Sequence, residues 1–543
     1  MCDLKYMSRN NILLFAILSL AIFLRVFQFG QNPPALYWEE VALGYDAYSL
    51  LQTGKDHHGN FLPIVALESF GDWKPALYAY AIIPFIPIFG LSEIAVRLPS
   101  LLAGLSIVLA SYFLAKKLGQ SALLAMTVAA IAPWAIHFSR AGWESHLSAA
   151  FILWGIYCAM RSVGERINIR WAAASVILFG ASLYTYHAAR VTVPLLGVGI
   201  IFYIFAKARV GGSLQKFFKK NVCYLALISF LVVVFLVPFL QNLKSPALLQ
   251  RGKETSIFTD ISIIEESNAL RENAQYSLAS RLLYHRYVLF GKEILKNFST
   301  HFNLDFLFIS GDSQPRHSPQ FFGHLYHIEF IFIIFGLVAW YKKQSTEKLL
   351  LLFWLLISIL PGSITYGYPH ALRMLAGFPV YIFIIAAGIE YLYFQWKKWL
   401  KPKYKKAVPL FAVAIIIAYG LELTAFWRHY TKIYPVVYAA EWQAGYKEMI
   451  GDLHVAMAKH PELPVYVSRE MGRPAMYYWF YTQTDPSVVQ AANATAKKDQ
   501  GEFLEFGNIS FVRGMSLDEN SAPLGGVGIY ANVIDGGWKM EIR

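Results

Sequence analysis

The chain has 543 residues, of which 56% are apolar, 16% are aromatic and only 15% are charged. In soluble globular domains about a quarter of all residues are charged. The present composition therefore excludes an ordinary soluble protein and indicates a membrane protein. The 48 Lys and Arg residues exceed the 35 Asp and Glu residues and give a net charge of +13. Most of the dense basic clusters flank apolar segments, which indicates cytoplasmic loops and argues against a nucleic-acid-binding stripe.

Apolar runs recur that are long enough to cross about 30 Å of hydrocarbon, or nearly so with tilt. They predict about eleven transmembrane helices, near residues 11–29, 99–118, 120–138, 143–162, 170–189, 191–206, 221–240, 325–341, 348–364, 372–394 and 405–427. The first run contains no small-x-small cleavage site and is followed by many further runs, so we interpret it as an uncleaved helix. The three cysteines, Cys2, Cys158 and Cys223, have no metal-site spacing, so we expect no disulfide and no zinc site among them.

Residues 76–91 form a further apolar stretch, which is short and interrupted by Pro84 and Pro87. With a cytoplasmic N-terminus, a full crossing here would move the later basic clusters to the outside, against the positive-inside rule. We therefore predict a re-entrant or interfacial helix on the outer side. The clusters that then lie inside are Lys116–Lys117, Arg161–Arg170, Lys207–Lys220, Lys342–Lys343 and Lys397–Lys406.

This topology predicts a mainly α, polytopic membrane domain over residues 1–427, with outer loops at 30–98 and 241–324. Residues 428–543 combine a helix-like segment with a strand-like Val465–Ser468 and short Gly-punctuated strands. This pattern predicts a small α/β domain outside the membrane. We expect the protein in the cell (inner or plasma) membrane, with its chemistry on the outer face.

The first outer segment carries two adjacent acidic residues, Glu39 and Glu40, just after the first helix. Neighbouring residues of a helix point about 100° apart, so one carboxylate can face a site while the other bonds to the structure. The alternative is a solvated helix start, because carboxylates are favoured at the positive N-terminal end.

Two basic residues follow on the same predicted face. Lys74 precedes the apolar stretch and can either snorkel to lipid headgroups or hold the phosphate of a lipid ligand. Arg97 can bind an anion or can form a structural pair with Glu93 at i,i+4.

The order of these motifs resembles glycosyltransferase family 39, the protein O-mannosyltransferases and aminoarabinose transferases of the GT-C superfamily. The motifs are the acidic pair, Lys-Pro before an apolar run, and Phe-Gly-Leu-Ser-Glu-Ile-Ala-Val-Arg-Leu-Pro-Ser at 89–100. The resemblance covers roughly residues 10–200 and implies a GT-C fold and transfer of a sugar from a polyprenyl-phosphate carrier. The family's usual pair is Asp-Glu with the aspartate as proposed base. Here that position is Glu39, one methylene longer, so the choice between Glu39 and Glu40 stays open.

The resemblance also implies a second acidic residue, and Glu144 fits it. Arg140, four residues earlier, is a further substrate-binding candidate. A purely structural ion pair between Arg140 and Glu144 is the alternative if the segment is helical.

Two His-x-x-Arg motifs, His187–Arg190 and His370–Arg373, lie at or near predicted outer helix ends. An imidazole and an arginine on one helix face suit an anionic group, although either pair can instead anchor a helix. The turn-rich loop 310–319 adds further candidates that can line a cleft or simply order the loop. They are Asp312, Arg316 and His317.

From these candidate residues we predict a direct displacement of the phosphate carrier, with inversion at the anomeric carbon. Glu39 or Glu40 removes the proton of the acceptor hydroxyl, and Lys74, Arg190 and Arg373 neutralise the leaving phosphate. No Asp-x-Asp motif occurs, so a divalent metal is possible but no cofactor is required. The predicted partners are a polyprenyl-phosphate sugar donor, the lipid bilayer, and an acceptor protein, glycolipid or glycan, with no nucleic acid.

Two other functions are compatible with a polytopic chain. A lipid or solute transporter would explain intramembrane charges, but no inverted repeat is recognisable and the outer C-terminal segment is too long for a connecting loop. A non-catalytic cell-envelope assembly protein would bind the donor without turnover.

Overall fold

The computed structural model describes residues 9–210, 214–242, 245, 250, 252, 254–400, 407–513, 527–534 and 536–543. Cys2 and the end of the predicted basic cluster at 401–406 lie outside these residues. The chain divides into two compact units. The first comprises Met1–Phe27, Leu102–Ser139 and Glu144–Tyr430, and the second comprises Gln28–Leu101, Arg140–Trp143 and Thr431–Arg543.

The first unit is helical, as expected where backbone groups must be hydrogen-bonded within their own segment. Its helices are Arg9–Val26, Ala122–Ile131, Pro133–Phe138, Glu144–Ser162, Ile169–Leu183, Ala189–Val210, Leu214–Gln241, Ile261–Asn273, Leu278–Leu283, Arg286–Thr300, Glu329–Lys342, Thr346–Ser363, Ala371–Met374, Phe378–Trp399 and Val408–Arg428. The helix Glu93–Lys117 includes residues of both units. Each predicted apolar run therefore corresponds to a helix or to a pair of consecutive helices.

Six helices among the described residues are long and apolar enough to cross a membrane. They are Glu93–Lys117, Ala189–Arg209, Leu214–Gln241, Thr346–Ser363, Ala371–Trp399 and Val408–Val437. Shorter apolar helices occupy Asn10–Val26, Leu77–Phe89, Ala122–Ile131 and Ile169–Leu183. The prediction of a polytopic membrane protein is confirmed, whereas the number of eleven crossings stays a prediction.

Two apolar helices of the first unit pack with their backbones in contact. A Cβ atom on Gly336 would overlap the carbonyl oxygen of Ile384, and one on Gly388 would overlap the carbonyl oxygen of Phe332. Small residues let helices approach closely in lipid, where apolar burial adds little to helix association. These two glycines therefore set the spacing of the helices Glu329–Lys342 and Phe378–Trp399.

The second unit contains short helices and all of the described strands. The helices are Trp38–Thr53, Leu77–Ile82, Ile86–Phe89, Tyr434–Val437, Tyr446–Lys459, Pro474–Tyr481 and Pro486–Asn493. The apolar stretch predicted at 76–91 is thus broken, with a 3-10 turn at Ile83–Phe85. Thirteen helical residues at ~1.5 Å each span roughly 20 Å, less than the ~30 Å hydrocarbon core. This length favours the predicted re-entrant or interfacial helix.

The strands are β1 Leu67–Ser69, β2 Asp72–Lys74, β3 Val465–Ser468, β4 Lys498–Asp499, β5 Glu502–Phe503, β6 Glu505–Phe506, β7 Ile509–Val512, β8 Ile529–Ile534 and β9 Gly537–Ile542. Five of them form a sheet of order β6-β7-β3-β8-β9. The central strand β3 runs parallel to β7 and β8, with Val465 opposite both Ile509 and Ile529. The helix Tyr446–Lys459 buries Met449, Ile450 and Leu453. The predicted small C-terminal α/β domain is confirmed, whereas its boundary at residue 428 stays a prediction.

A two-residue turn positions Lys74. Strands β1 and β2 form a hairpin in which Leu67 lies opposite Lys74. The turn residues Phe70 and Gly71 both have positive φ, 56° and 75°, which is the backbone of a tight hairpin turn whose twist matches that of the strands.

Candidate active site

Glu40 is fully buried and its carboxylate is saturated with hydrogen bonds. Oε1 accepts from Arg97 Nε at 2.9 Å and from the backbone N–H of Gly142 at 2.6 Å. Oε2 accepts from Arg97 Nη2 and from the backbone N–H of Tyr37, both at 3.2 Å. The last bond caps the helix that begins at Trp38, as carboxylates in a first turn commonly do. No lone pair of Glu40 is left to remove a proton from a substrate.

Arg97 is equally buried, and its guanidinium forms hydrogen bonds with other groups of the protein. Besides Glu40, it donates from Nη1 to the carbonyl of Pro33 at 2.8 Å and from Nη2 to the carbonyl of Ala35. Its guanidinium lies 5.9 Å from the centre of the Trp442 ring. The predicted alternative partner Glu93 is instead hydrogen-bonded by Lys447. This geometry favours a structural role for Arg97 over the anion-binding role that the sequence suggested.

Glu39 differs from its neighbour in exposure and in partner. Its side chain is 27% exposed and forms an ion pair with Lys74 Nζ, whose own side chain is 6% exposed. Lys74 is therefore directed at a carboxylate and does not follow the snorkelling alternative. The two glutamates thus differ as the helix geometry predicted. The Glu40 side chain is hydrogen-bonded within the protein, whereas the Glu39 side chain is partly exposed.

A loop of the C-terminal region holds the hairpin that carries Lys74. A Cβ atom added to Gly501 would overlap the backbone of Phe70 and Gly71 at the hairpin turn. Gly501 itself has a φ of 73°, which L side chains rarely adopt. Arg473 lies over the Phe70 ring at 4.5 Å and is paired with Glu502 at 2.9 Å. Lys74 is therefore positioned by residues at least 399 positions away in the chain.

Arg140 and Glu144 do not lie in one continuous helix. Residues 139–143 form a turn, and the helix begins at Glu144. The continuous helix on which the predicted i,i+4 pair depended is therefore absent. Arg140 is buried and donates from Nε to the carbonyl of Asn32 at 3.1 Å and from Nη2 to the carbonyl of Gln28 at 3.3 Å. Glu144 lies buried at the helix start, and its catalytic role stays a prediction.

Sequence reasoning missed a buried Asp–His pair in the second unit. Asp46 Oδ1 is 2.6 Å from His57 Nδ1 and also accepts the backbone N–H of His57 at 3.1 Å. The His57 ring lies against that of His58, whose Nδ1 is 3.1 Å from Asn493 Oδ1. Burial raises the pKa of Asp46 to about 7 and lowers the pKa of His57 to about 4. The adjacent histidines in a predicted outer segment were the available signal.

In the first unit, the structure brings together three of the predicted residues. Asp312 Oδ2 is 3.4 Å from His317 Nδ1 and 4.0 Å from His370 Nδ1, and the two rings are stacked at 4.9 Å. Burial alone would raise the pKa of Asp312, but the hydrogen bond and charge of His317, with that of His370, hold this pKa below its usual value. Burial lowers the pKa of His370.

The two His-x-x-Arg motifs have different geometries. Arg190 Nη1 lies 3.2 Å from His187 Nδ1, and Arg190 also contacts the Phe239 ring at 5.1 Å. His370 is instead the extended N-cap of the helix Ala371–Met374, with φ −134° and ψ 108°. Its side chain faces Asp312, while Arg373 donates to Thr365 Oγ1 at 2.6 Å. His187 lies in a turn before the helix Ala189–Val210, so neither histidine is helical, and the prediction that each motif presents His and Arg on one helix face is wrong for both.

Arg316 lies in the 3-10 turn Pro315–His317. Its carbonyl oxygen is 2.8 Å from His137 Nε2, so the loop 310–319 is fixed by its backbone. A role for the Arg316 side chain in substrate binding stays a prediction.

One protein family matches part of the sequence. The family described as dolichyl-phosphate-mannose-protein mannosyltransferase matches residues 73–238. No curated protein matches the sequence of this chain.

Solved structures with a similar fold include ArnT from Cupriavidus metallidurans bound to undecaprenyl phosphate. It shares 13% identity with a TM-score of 0.51, over 95% of this chain and 92% of ArnT. The oligosaccharyltransferase of Archaeoglobus fulgidus shares 12% identity with a TM-score of 0.50, over 86% of this chain and 61% of the larger enzyme. The resemblance predicted from the sequence is thereby confirmed, and the chain is a polytopic membrane protein with the GT-C glycosyltransferase fold.

Proposed function

We propose that this chain is an integral membrane glycosyltransferase that transfers a sugar from a polyprenyl-phosphate donor to an acceptor hydroxyl on the extracytoplasmic face, with inversion. The observation that carries this proposal is the pair of Glu39 and Lys74, a partly open carboxylate joined to a buried ammonium. Transfer from a lipid phosphate needs both a base for the acceptor hydroxyl and a cation for the leaving phosphate. The pair supplies the two groups side by side.

Glu39 acts as the base because its side chain is 27% exposed. Glu40 cannot take this role, since Arg97, Gly142 and Tyr37 occupy its oxygens. The ammonium of Lys74 is the cation offered to the donor phosphate, so Glu39 exchanges its partner when the donor binds.

The nature of the donor is supported by two relatives. The structurally similar ArnT was crystallised with undecaprenyl phosphate, and the matching family is described by dolichyl-phosphate-mannose. Both lipids are polyprenyl phosphates or close derivatives, and a lysine is a common point-charge ligand of phosphate. A role of Arg140 in substrate binding stays a prediction, and so do the roles of the predicted substrate ligands that belong to the first unit. They are His187, Arg190, Asp312, Arg316, His317, His370 and Arg373.

A complementation experiment tests the enzyme assignment. Mass spectrometry compares surface glycolipids and glycoproteins of a strain lacking the gene with the same strain carrying wild type, Glu39→Gln or Lys74→Met. We expect the gene loss to remove one glycan modification, wild type to restore it, and neither variant to restore it at equal abundance in the membrane. Full restoration by Glu39→Gln would remove this residue from the mechanism.

A binding experiment separates an enzyme from an assembly protein. Undecaprenyl phosphate, titrated into the purified chain in detergent, is expected to bind wild type and Glu39→Gln but to bind Lys74→Met more weakly. Wild-type binding together with an unchanged glycan profile after gene loss would favour a protein that binds the lipid without turnover.

A further inference from the structure

Three ligand-type side chains from separate segments of the first unit converge on one point. Asp312 follows a short π-helical turn at Asp305–Ile309, His317 ends the 3-10 turn Pro315–His317, and His370 precedes the helix Ala371–Met374. One ligand atom of each residue lies within 4.8 Å of the other two. The mechanism proposed above does not require this convergence, because its base and the cation offered to the phosphate belong to the second unit.

The separations are close to those of a metal site. Metal–N and metal–O bonds of ~2.1 Å in tetrahedral geometry place neighbouring ligand atoms ~3.4 Å apart. His317 Nδ1 is 3.4 Å from Asp312 Oδ2, and His370 Nδ1 is 4.0 Å from the same oxygen. Both imidazoles are partly exposed, at 14% and 17%, so a small rotation of the rings brings both nitrogens within bonding distance of one ion.

The carboxylate is held in a fixed orientation. Asp312 Oδ2 accepts the backbone N–H of Ala371 at 2.7 Å, and Oδ1 accepts that of Gln314 at 2.9 Å. Outer hydrogen bonds of this kind orient the ligands in metal sites. Each Asp312 oxygen has a second lone pair, and Oδ2 lies within 4.0 Å of both imidazole Nδ1 atoms.

The backbone of His370 is fixed as well. Its N–H donates to His301 Nε2 at 3.2 Å, and His301 Nδ1 donates to the carbonyl of Asn297 at 2.8 Å. The His370 Nδ1 atom is buried and has no hydrogen-bond partner among the described residues. A buried imidazole nitrogen is costly to leave without a hydrogen bond, and coordination of a cation would satisfy it.

We propose that Asp312, His317 and His370 form a binding site for one divalent transition-metal ion, with zinc as the representative. Two imidazoles and one carboxylate suit the borderline ions from Mn²⁺ to Zn²⁺ better than Mg²⁺ or Ca²⁺, which prefer oxygen ligands. Three protein ligands leave a fourth coordination position for water or for an anionic oxygen. The alternative is that Asp312 and His317 form an ion pair that binds no metal.

Cobalt titration tests the site directly. The full chain in detergent is stripped with a chelator and titrated with Co²⁺, whose visible absorption reports tetrahedral or five-coordinate binding. We expect saturation near one ion per chain and displacement by Zn²⁺. Loss of a residue that only hydrogen-bonds to a metal ligand typically weakens metal binding ~10–100-fold. The substitutions His317→Ala and His370→Ala remove a ligand itself, so each should weaken Co²⁺ binding by more than this. Absence of saturable binding by the wild type would overturn the proposal and leave the ion pair.

The chain offers a matched control. His327 Nδ1 is also 3.4 Å from a carboxylate oxygen, that of Glu422, but its side chain is 53% exposed and this pair is not part of a three-ligand group among the described residues. His327→Ala should bind Co²⁺ as tightly as wild type. If it loses binding as strongly as His370→Ala, the ion lies elsewhere. The unfolding temperature of each variant in chelator checks the fold, and Asp312→Asn, which keeps the shape, replaces any alanine variant that does not fold.

Discussion

The carboxylate of Glu40 and the guanidinium of Arg97 lie 57 positions apart in the chain and form an ion pair that is completely shielded from solvent, with Nε 2.9 Å from Oε1. Both groups also bond to backbone, so the pair connects the start of the helix Trp38–Thr53 to the helix Glu93–Lys117 and to the turn at Gly142. The pair holds Glu39 in place because the two glutamates are neighbours in one helical turn.

Breaking this pair should destabilise the protein strongly. Glu40→Gln or Arg97→Met leaves an unpaired buried charge, which typically costs about 3–5 kcal/mol. We therefore expect a large drop in unfolding temperature for either variant, measured in detergent by the fluorescence of the many tryptophans. In contrast, Glu39→Gln should unfold close to the wild-type temperature.

The ion pair of Glu93 with Lys447 serves as the control for this prediction. Its N–O distance is also 2.9 Å, but the Lys447 side chain is 60% exposed. Pairs with an exposed member contribute about 0–1 kcal/mol, so Lys447→Met should change the unfolding temperature little. Equal losses for Lys447→Met and Glu40→Gln would contradict the structural role of the buried pair.

The position of Lys74 should depend on a glycine that touches no substrate. A methyl group on Gly501 overlaps the hairpin turn at Phe70 and Gly71, so Gly501→Ala must shift β2 and with it Lys74. We expect weaker binding of undecaprenyl phosphate and a reduced glycan product in complementation.

Gly507→Ala is the control that separates the displacement of the hairpin from the cost of backbone strain. Gly507 also has a positive φ, 60°, but a Cβ there meets nothing within 4 Å. Both alanines carry the ~1–2 kcal/mol cost of the left-handed region, whereas only Gly501→Ala moves the hairpin. Lipid binding by Gly501→Ala that equals that of Gly507→Ala would show that the hairpin is not clamped.

The buried Asp46–His57 pair should contribute little to the pH dependence of stability. Burial raises the pKa of Asp46 to about 7 and lowers that of His57 to about 4, so the folded pair holds one proton between these values. The unfolded pair also holds one proton, between about pH 3.9 and about pH 6.5. Stability changes with pH only where the two states bind different numbers of protons.

Asp46→Asn should create a pH dependence at this site. Burial still keeps His57 neutral in the folded state, while the unfolded His57 binds a proton below about pH 6.5. The unfolded state then holds the extra proton, so the free energy of unfolding falls by up to ~1.4 kcal/mol for each pH unit below that value. The difference from wild type is measured by unfolding between about pH 5 and pH 7.5. This pH-dependent difference in the free energy of unfolding should vanish when His57→Gln is added to Asp46→Asn. A difference that grows as the pH rises would contradict the prediction.

The glycines between two apolar helices should tolerate no side chain. Gly336→Ala overlaps the carbonyl oxygen of Ile384, so the helices Glu329–Lys342 and Phe378–Trp399 must separate, and overpacking of this kind costs about 1–3 kcal/mol. We expect a lower unfolding temperature in detergent. Gly420→Ala, in a helix where the added Cβ meets nothing within 4 Å, should be neutral or should stabilise by roughly 0.5–1 kcal/mol. Equal effects of the two substitutions would contradict the close helix contact.

Much of the architecture follows from the sequence alone. Apolar runs of sufficient length can satisfy their backbone only as helices in hydrocarbon, which is why each predicted run is helical in the structure. Pro84 and Pro87 likewise predicted the interruption at 83–85, since proline removes a helix donor. The short motifs between residues 36 and 100 were enough to identify the GT-C resemblance. Adjacent positions in a helix also predicted that Glu39 and Glu40 would differ in role.

Only the tertiary structure decided which residue takes which role. Glu40 is the structural member of the pair because Arg97 and the N–H of Gly142 reach it, and neither contact is encoded locally. The i,i+3 spacing of His370 and Arg373 suggested one shared helix face, but His370 lies outside the helix and faces Asp312. The clamp at Gly501 depends on a segment that is distant in sequence, and the pairing of His57 with Asp46 spans 11 positions that include the end of the helix Trp38–Thr53. Long-range side-chain contacts carry no periodic signal, so composition and spacing could locate these residues but could not pair them.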